Sequence, residues 1–204
     1  MIFFYSSWNE VYSEEVQNFN DHGNVGEIWF GMDTSKRIIN WLSKTSWVEK
    51  SDTIIDLGKK IHYRWTIIKF HLILNFFVNF FKIFSGCGNG MLLVGLYKAG
   101  FKNLYGVDYS EKAIELASSI SKSENCLINF TVGSILDDPV PSSYKVVLDK
   151  GTYDAISLDP DNSKAKREIY IKNVYKMLKD DGIFLLTSCN WTEDEIIQQF
   201  SSGN

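Results

Sequence analysis

The chain has 204 residues, of which 45% are hydrophobic and 15% aromatic, so it can form one folded domain with a substantial core and is not predicted to be disordered. Its 21 basic and 25 acidic residues leave a net charge of −4. Because this balance offers no extended basic surface, we expect no nucleic-acid partner. An acidic protein instead suits a basic protein partner.

The cysteines and histidines indicate neither a metal site nor a disulfide framework. The three cysteines lie far apart without C-x-x-C spacing, and the three histidines form no ligand pattern with them. We therefore expect reduced thiols, a cytoplasmic location and no metal. Residues 1–5 have neither the basic start nor the long apolar run of a signal peptide, so export is not predicted.

Two helices are predicted before the first strand. Helical patterning covers Trp8–Asn20, and after a break at Gly26–Gly31 it resumes to about Ser46. Asp33 or Thr34 is predicted to cap the second helix.

From residue 52 onward, short β-branched runs alternate with amphipathic stretches, which is typical of βαβ units and a parallel sheet. The predicted strands are Thr53–Asp56, Asn103–Asp108, Leu127–Val132, Tyr144–Asp149 and Gly182–Ser188. The predicted helices are Asn89–Ala99, Ser110–Lys122, Asn162–Leu178 and Thr192–Phe200, with Ser110 as a cap and Asp181-Gly182 as the turn before the last strand. We therefore predict one domain over residues 1–204, with an α/β, Rossmann-like, doubly wound and mostly parallel sheet.

A glycine-rich turn, Gly86-Cys87-Gly88-Asn89-Gly90, precedes one of these helices, and the next strand ends at Asp108. Glycines let the backbone approach a ligand and adopt positive φ, and an acid at this distance accepts hydrogen bonds from ribose hydroxyls. The pairing predicts a site for a nucleoside-carrying cofactor.

The candidate residues fall at strand ends. In open sheets of this kind, ligands bind beyond the carboxyl ends of the strands. The segments at such ends are Gly86–Gly90, Asp108, Gly133–Ser134, Asp149–Asp154 and Ser188–Trp191. We therefore expect the chemistry to lie at one edge of the sheet.

An apolar insertion, residues 59–86, interrupts the glycine-rich motif. The turn should follow its strand directly, and removal of this segment restores the uninterrupted order D-L-G-C-G-N-G. Glycine followed by lysine at the start can encode a splice donor, and Phe84-Ser85-Gly86 at the end can encode a splice acceptor. Our hypothesis is a translated intron.

Three other interpretations of this segment stay open. Thr66–Phe84 has 19 residues, near the ~20 that span a bilayer, but lysine, histidine and asparagine interrupt it, so no membrane partner is expected. A buried or interfacial helix inserted in the loop is the second interpretation. In the third, Lys82–Ser85 replaces Thr53–Leu57 as the first strand, although we prefer Thr53–Asp56 because it keeps an acid near the turn.

With these motifs the chain resembles the class I, seven-strand S-adenosylmethionine-dependent methyltransferases, and within them the lysine methyltransferases of eukaryotic elongation factor 1-alpha. The resemblance runs from about Trp8 to Phe200 without the insertion. The strings D-K-G-T-Y-D-A-I and S-C-N-W-T are its most specific parts. The motifs that carry it are Gly26–Gly31, Asp56-Leu57-Gly58 with Cys87–Gly90, Gly106–Ser110, Asp149–Ile156 and Ser188–Thr192.

The resemblance implies S-adenosylmethionine as the cofactor and assigns residues to each part of it. Asp108 would hold the ribose, and Tyr109 would pack on the adenine. Where the family usually has an acid after the third strand, to bind the adenine amine, this chain has Gly133-Ser134. Glu27 and Trp29 would close over the amino-acid end. The residues implied for the methionine half are Asp56, Gly58, Gly86, Gly88 and Gly90.

The resemblance also implies the acceptor side. The sulfonium methyl is already activated, so the enzyme has to align a neutral amine behind it and exclude water. Asp149 would orient the amine, Tyr153 and Trp191 would line the path of the aliphatic stem, and Asn190 would offer a polar contact. The expected partner is elongation factor 1-alpha, and we expect the enzyme to be a monomer.

Two departures from the family pattern leave other functions open. The chain stops before the final antiparallel strand pair, so we expect a sheet without that pair, and its start does not match the family. With the insertion, these departures allow an inactive or merely cofactor-binding remnant. A small-molecule methyltransferase would need an additional lid, and a dehydrogenase is disfavoured because the motif is not the nicotinamide pattern.

Overall fold

A computed structural model describes residues 3–56, 86–137 and 143–201, with side chains from Asn9 onward. The strands are β1 Thr53–Asp56, β2 Asn103–Asp108, β3 Asn129–Val132, β4 Tyr144–Lys150 and β5 Leu178–Thr187. The helices are α1 Phe3–His22, α2 Gly31–Lys44, α3 Met91–Lys98, α4 Glu111–Ser123, α5 Thr152–Ser157, α6 Ser163–Met177 and α7 Glu193–Ser201.

The five strands form one sheet in the order β3-β2-β1-β4-β5, and each neighbouring pair is parallel. Parallel neighbours need crossover connections, which the intervening helices supply. The order runs outward from β1 in both directions, so the prediction of a Rossmann-like, doubly wound sheet is confirmed. Thr53–Asp56 is the central strand, as preferred over Lys82–Ser85.

Side chains of the central strands alternate between two buried layers. Ile54, Val146 and Leu148 pack into the layer formed with α2 and α3, whereas Ile55 and Val147 point into the layer formed with α6 and α7. Successive residues of a strand face opposite sides of the sheet, and a parallel sheet covered on both sides has apolar residues at both. The helix α1 packs across α4 in a third cluster around Tyr12 and Leu116.

The predicted turn at Asp181-Gly182 is wrong. Both residues belong to β5, which begins at Leu178 and has a register shift opposite β4 between Tyr144 and Val146. Between the paired residues Leu178 and Ile183, β5 is irregular, and the Asp-Gly pair lies in this part of the strand without ending it.

Helix starts and short elements also differ from the predictions. The helix α2 begins at Gly31, and the residue before it, Phe30, has a φ of 56° and makes no side-chain cap. The predicted cap at Asp33 or Thr34 is therefore wrong. The six-residue helix α5 was not predicted, because it is too short for a recognisable hydrophobic period. The cap at Ser110 is confirmed, since its Oγ accepts a hydrogen bond from Ala113 N at 3.2 Å.

The predictions on residues 57–85, including Gly58 and most of the apolar insertion, lie outside the described residues. Within residues 3–56, 86–137 and 143–201, no helix combines the length and hydropathy needed to cross a bilayer. The same ranges hold no group of three or more His, Cys, Asp or Glu side chains that could hold a metal ion.

Candidate active site

The predicted motifs meet at the carboxyl edge of the sheet. Asp56 ends the central strand, Asp108 pairs with Val132 at the end of β2, and Lys150 pairs with Thr187 at the end of β4. Parallel strands end on the same side, so the loops that follow them are neighbours. The sequence-predicted site residues that the structure describes therefore belong to one region, to which the segment between α1 and α2 also contributes.

The glycine turn bridges the strands on either side of β1. Cys87 N donates to Val107 O at 2.9 Å on the β2 side. On the β4 side, Gly86 N donates to Thr152 Oγ1 at 3.0 Å. The turn is thus fixed by main-chain groups between the two motifs that flank it.

Glycine is required at the two ends of the turn. Gly86 has a φ of 137°, and a side chain there would overlap the carboxylate of Asp108. Gly90, with a φ of 71°, precedes α3, and a Cβ on it would lie 2.9 Å from the ring of Phe130. At both positions the protein itself already fills the space that a side chain would need.

Asp108 is buried and bound by backbone amides. Its Oδ2 accepts from Gly88 N and its Oδ1 from Ser110 N, each at 3.0 Å. Burial, with a smaller contribution from the nearby charge of Asp56, raises the pKa of the Asp108 carboxyl group to about 7, although the amide hydrogen bonds oppose this rise. A carboxylate oxygen accepts more than one hydrogen bond, so both oxygens retain capacity for further donors.

Asp149 lies at the predicted strand end, with its carboxylate turned into the protein. Its Oδ1 accepts from Thr152 N at 2.8 Å, its Oδ2 from Tyr153 N at 3.0 Å, and the hydroxyl of Tyr170 also donates to Oδ2. Burial raises the pKa of Asp149 to about 7. In this conformation the side chain organises the first turn of α5.

Asp154 connects α5 to the S-C-N-W-T loop, residues 188–192. Its carboxylate accepts hydrogen bonds from Ser188 Oγ and, at 2.8 Å, from Cys189 N. The side chain is only 2% exposed, so both bonds form away from water. One buried acid therefore fixes the loop after β5 against the motif after β4.

The S-C-N-W-T loop places Asn190 and Trp191 at this edge. Asn190 is exposed, whereas Trp191 is half-buried and donates its indole N–H to Ser157 Oγ at 3.0 Å. The guanidinium carbon of Arg167 lies 5.2 Å from the centre of the Trp191 ring. This contact is a cation–π interaction.

Tyr153 is placed differently from the prediction that it lines the acceptor path. Its ring is fully buried, 5.2 Å from the ring of Tyr170 and 5.3 Å from that of Phe200, centre to centre. Its hydroxyl donates to Gln199 Oε1 at 2.6 Å. Tyr153 thus lies behind Trp191, at a ring distance of 6.1 Å, as part of the core.

The remaining predicted cofactor residues surround the glycine turn. Glu27 is exposed and Trp29 half-buried in a segment between α1 and α2 that we call the strap, Val25–Phe30. Tyr109 is half-buried beside the cluster between α1 and α4. Ser134 is half-buried after β3, where its Oγ accepts from Leu136 N at 3.1 Å.

Four further residues at this edge had no assigned role in the sequence. Tyr12, from α1, is buried, and its hydroxyl lies 3.2 Å from the position that a Cβ on Gly88 would take. Asn89, Lys150 and Asp154 stand inside the quoted motifs, yet their residue types do not reveal their partners. Those partners come from segments distant in sequence, so no local pattern could have identified them.

Known proteins with a similar sequence share these motifs. A methyltransferase domain family matches residues 85–204. The EEF1A lysine methyltransferase 2 of Homo sapiens is 37% identical over 198 residues, which cover 96% of this chain and 72% of the human protein. Protein-lysine N-methyltransferase EFM4 of Saccharomyces cerevisiae is 32% identical over 209 residues, covering 97% of this chain and 79% of the yeast protein.

Solved structures share the fold at lower identity. A TehB-like SAM-dependent methyltransferase from Corynebacterium glutamicum has a TM-score of 0.57 and 17% identity, with 97% of this chain and 83% of that chain covered. Magnesium protoporphyrin IX methyltransferase from Synechocystis, with bound SAM, has a TM-score of 0.54 and 14% identity, with 94% and 85% covered.

The strand order, with a glycine turn bridging the strands beside β1, defines a class I methyltransferase fold. The chain belongs to the S-adenosylmethionine-dependent methyltransferase family that includes the EEF1A lysine methyltransferases 2. The predictions of fold, family, enzyme class and cofactor are confirmed.

The raised pKa values of Asp108 and Asp149 predict a pH-dependent stability. Both folded-state values, about 7, exceed the ~3.9 of an unfolded aspartate, so the folded chain holds protons that the unfolded chain has released. These two groups therefore contribute less to the unfolding free energy as pH rises from about 4 to 7. Urea unfolding should show that the unfolding free energy of the unaltered chain minus that of Asp149→Asn decreases across this window.

Asp181→Asn is the matched control. Asp181 is exposed, and its hydrogen bond from Lys145 lowers its pKa, so its stabilising contribution is already complete above about pH 5. The prediction would be contradicted if the unfolding free energy of the unaltered chain minus that of Asp149→Asn increased from pH 5 to 7.

Proposed function

We propose that this chain transfers the methyl group of S-adenosylmethionine to a lysine ε-amine of elongation factor 1-alpha. The observation that carries this proposal is the 37% identity to the human EEF1A lysine methyltransferase 2 over 96% of the chain. The yeast relative, 32% identical over 97% of the chain, is likewise named a protein-lysine methyltransferase. A protein substrate follows from both names, and elongation factor 1-alpha from the first.

The described residues fit this cofactor. Both carboxylate oxygens of Asp108 can accept further hydrogen bonds, and the half-buried Gly86 and Gly88 lie in the turn beside it. We assign Asp108 to the ribose. We assign the other residues as follows: Asp56, Gly58, Gly86, Gly88 and Gly90 to the methionine half, Tyr109 and Ser134 to the adenine, and Glu27 and Trp29 to the amino-acid end.

When bound, S-adenosylmethionine supplies a methyl group that its sulfonium has already activated. The protein then has to hold the acceptor in line and in its neutral form. A free lysine has a pKa of ~10.4, so few amines are neutral at pH 7, and removal from water favours the neutral amine. A water-poor acceptor path is therefore the main requirement on this chain.

We assign the acceptor side to the motifs after β4 and β5. Asn190 is exposed and available for a polar contact. The neighbouring Trp191 is fixed by the hydrogen bond from its indole N–H to Ser157 Oγ. Tyr153 supports Trp191 from the core. Asp149 orients the incoming amine by fixing the first turn of α5, whose amides its carboxylate accepts.

We infer a cytoplasmic location for the chain. All three cysteines, Cys87, Cys126 and Cys189, are free thiols. Disulfides are rare in the reducing cytosol, so free thiols are consistent with that compartment.

The cofactor assignment predicts the behaviour of two Asp108 variants. Asp108→Ala removes the acceptors for the ribose, so calorimetry should detect no binding of S-adenosylmethionine. Asp108→Asn keeps one acceptor oxygen but loses the charge, so its dissociation constant should rise about tenfold or more. Asp181→Asn, a surface variant, should bind like the unaltered chain. Unchanged affinity in Asp108→Ala would remove this residue from the cofactor site.

The acceptor assignment predicts a separation of binding from transfer. Asp149→Asn keeps one acceptor oxygen but replaces the other with an NH2 donor, which perturbs the turn, so cofactor binding should stay within twofold while methyl transfer falls about a hundredfold or more. Mass spectrometry of purified elongation factor 1-alpha after reaction with the unaltered chain should locate the added methyl on a lysine side chain. Methylation only at an α-amine, or none, would contradict the proposed function.

We also infer that residues 59–86 derive from a translated intron within a single methyltransferase domain. The support is the uninterrupted motif that remains after their removal, in which Gly58 precedes Cys87 as Gly86 does in this chain. Mature messenger RNA should lack the corresponding 84 nucleotides, three for each of the 28 residues. Transcript sequencing from expressing tissue checks this, and retention of the segment would refute the inference.

A further inference from the structure

The strap, Val25–Phe30, is held by the glycine turn at its first half. The side-chain nitrogen of Asn89 donates to Val25 O at 2.9 Å and to Glu27 O at 3.0 Å. The side-chain oxygen of Asn89 accepts from Met91 N at 3.3 Å, and the residue is buried. Every polar group of this carboxamide therefore connects the strap to the start of α3.

The end of β4 holds the second half of the strap. Lys150 Nζ donates to Trp29 O at 2.8 Å across 121 positions of sequence. The next residue, Gly151, has a φ of 99°, and a Cβ on it would lie 2.8 Å from the ring of Trp29 and 3.1 Å from that of Phe30. The motif after β4 is thus shaped to receive these two rings and one carbonyl oxygen.

An ammonium group at this position requires an explanation. Removal of a lysine charge from water is unfavourable, and burial lowers the pKa of Lys150, although the charges of Asp56 and Asp149 favour the cation. A methionine could fill much of the same space without this penalty. In the described part of the chain, the hydrogen-bond acceptor of the ammonium is a backbone carbonyl of the strap. The ammonium therefore links the end of β4 to one specific main-chain atom of the strap.

We propose that Lys150 is a positioning residue that, together with Asn89, fixes the strap across the carboxyl edge and so sets the affinity for the cofactor. This proposal rests on the proposed function, in which Glu27 and Trp29 cover the amino-acid end of S-adenosylmethionine. The strap then joins the glycine turn to the motif that begins at Asp149. Hydrogen bonds to the backbone carbonyls of the strap therefore fix the position of the cofactor side relative to the acceptor side.

The chain offers a closely matched control in Lys145. It lies on the same strand, β4, and its Nζ likewise donates to a backbone carbonyl, that of Asp181, at 2.9 Å, and also to the carboxylate of Asp181 at 2.7 Å. Because this contact lies at the opposite end of β4, Lys145→Met removes a comparable interaction without contact with the strap. Thermal unfolding of Lys145→Met and Lys150→Met, followed by circular dichroism, establishes that both variants fold.

Hydrogen exchange in the absence of cofactor measures the contact directly. The amide of Gly31 donates to Ile28 O at 2.9 Å and reports on the end of the strap. In Lys150→Met its exchange should accelerate about tenfold, the scale expected for the loss of a charged hydrogen bond, and Lys145→Met should leave it unchanged. Equal exchange in Lys150→Met and the unaltered chain would overturn the proposal.

Cofactor affinity measures the consequence for the site. Lys150→Met should raise the dissociation constant for S-adenosylhomocysteine about tenfold, and Asn89→Ala should do the same, while Lys145→Met stays within twofold. In methyl-transfer assays the KM for S-adenosylmethionine should rise in Lys150→Met while kcat changes less than threefold. A merely structural role would lower the folded fraction and so reduce the apparent kcat without a change in KM.

The outcomes separate this proposal from the proposed function. Faster exchange of Gly31 with unchanged affinity in Lys150→Met would show that the strap does not belong to the cofactor site and would overturn the proposal. If the unaltered chain itself fails to bind S-adenosylhomocysteine, the proposed function fails and the effect on affinity fails with it. The exchange rates would still decide whether Lys150 fixes the strap.

Discussion

Buried carboxylates at the strand ends are the constraint on which the rest of this site depends. Asp108, Asp149 and Asp154 are each almost inaccessible to water, and a buried carboxylate is tolerated only when hydrogen bonds surround it. Backbone amides supply those bonds in all three cases. Each acid therefore determines the path of the loop that satisfies it, and the loops form the site.

This arrangement suits a reaction in which alignment does most of the work. The methyl donor carries its own activation, so the proposed function requires the protein to supply a fixed geometry and to exclude water from the amine. Loops held by buried acids lose little further freedom when a ligand binds, because their conformation is already set. The short connection from Asp154 to Ser188 and Cys189 is one example, since it joins the two motifs assigned to the acceptor.

The sheet could be predicted from sequence because its signals are local and repeated. Thr53–Asp56 and Asn103–Asp108 are short apolar runs bounded by turn residues, and both were found with their predicted limits. The Asp181-Gly182 pair was misread because turns and irregular parts of strands use the same residues. Only the pairing of β5 with β4 distinguishes them.

From the sequence, hydrophobic period and motif spacing determined the fold class and the edge of the sheet at which the motifs lie, because both are written locally along the chain. The resemblance of those motifs to a known family implied the methyltransferase family and the cofactor. The tertiary structure alone decided which groups meet at that edge. It turned Asp149 inward to the amides of α5, buried Tyr153 behind Trp191, and joined Lys150 to the carbonyl of Trp29. These contacts depend on the packing of distant segments and on the need to satisfy buried polar groups, and neither is encoded in a local pattern.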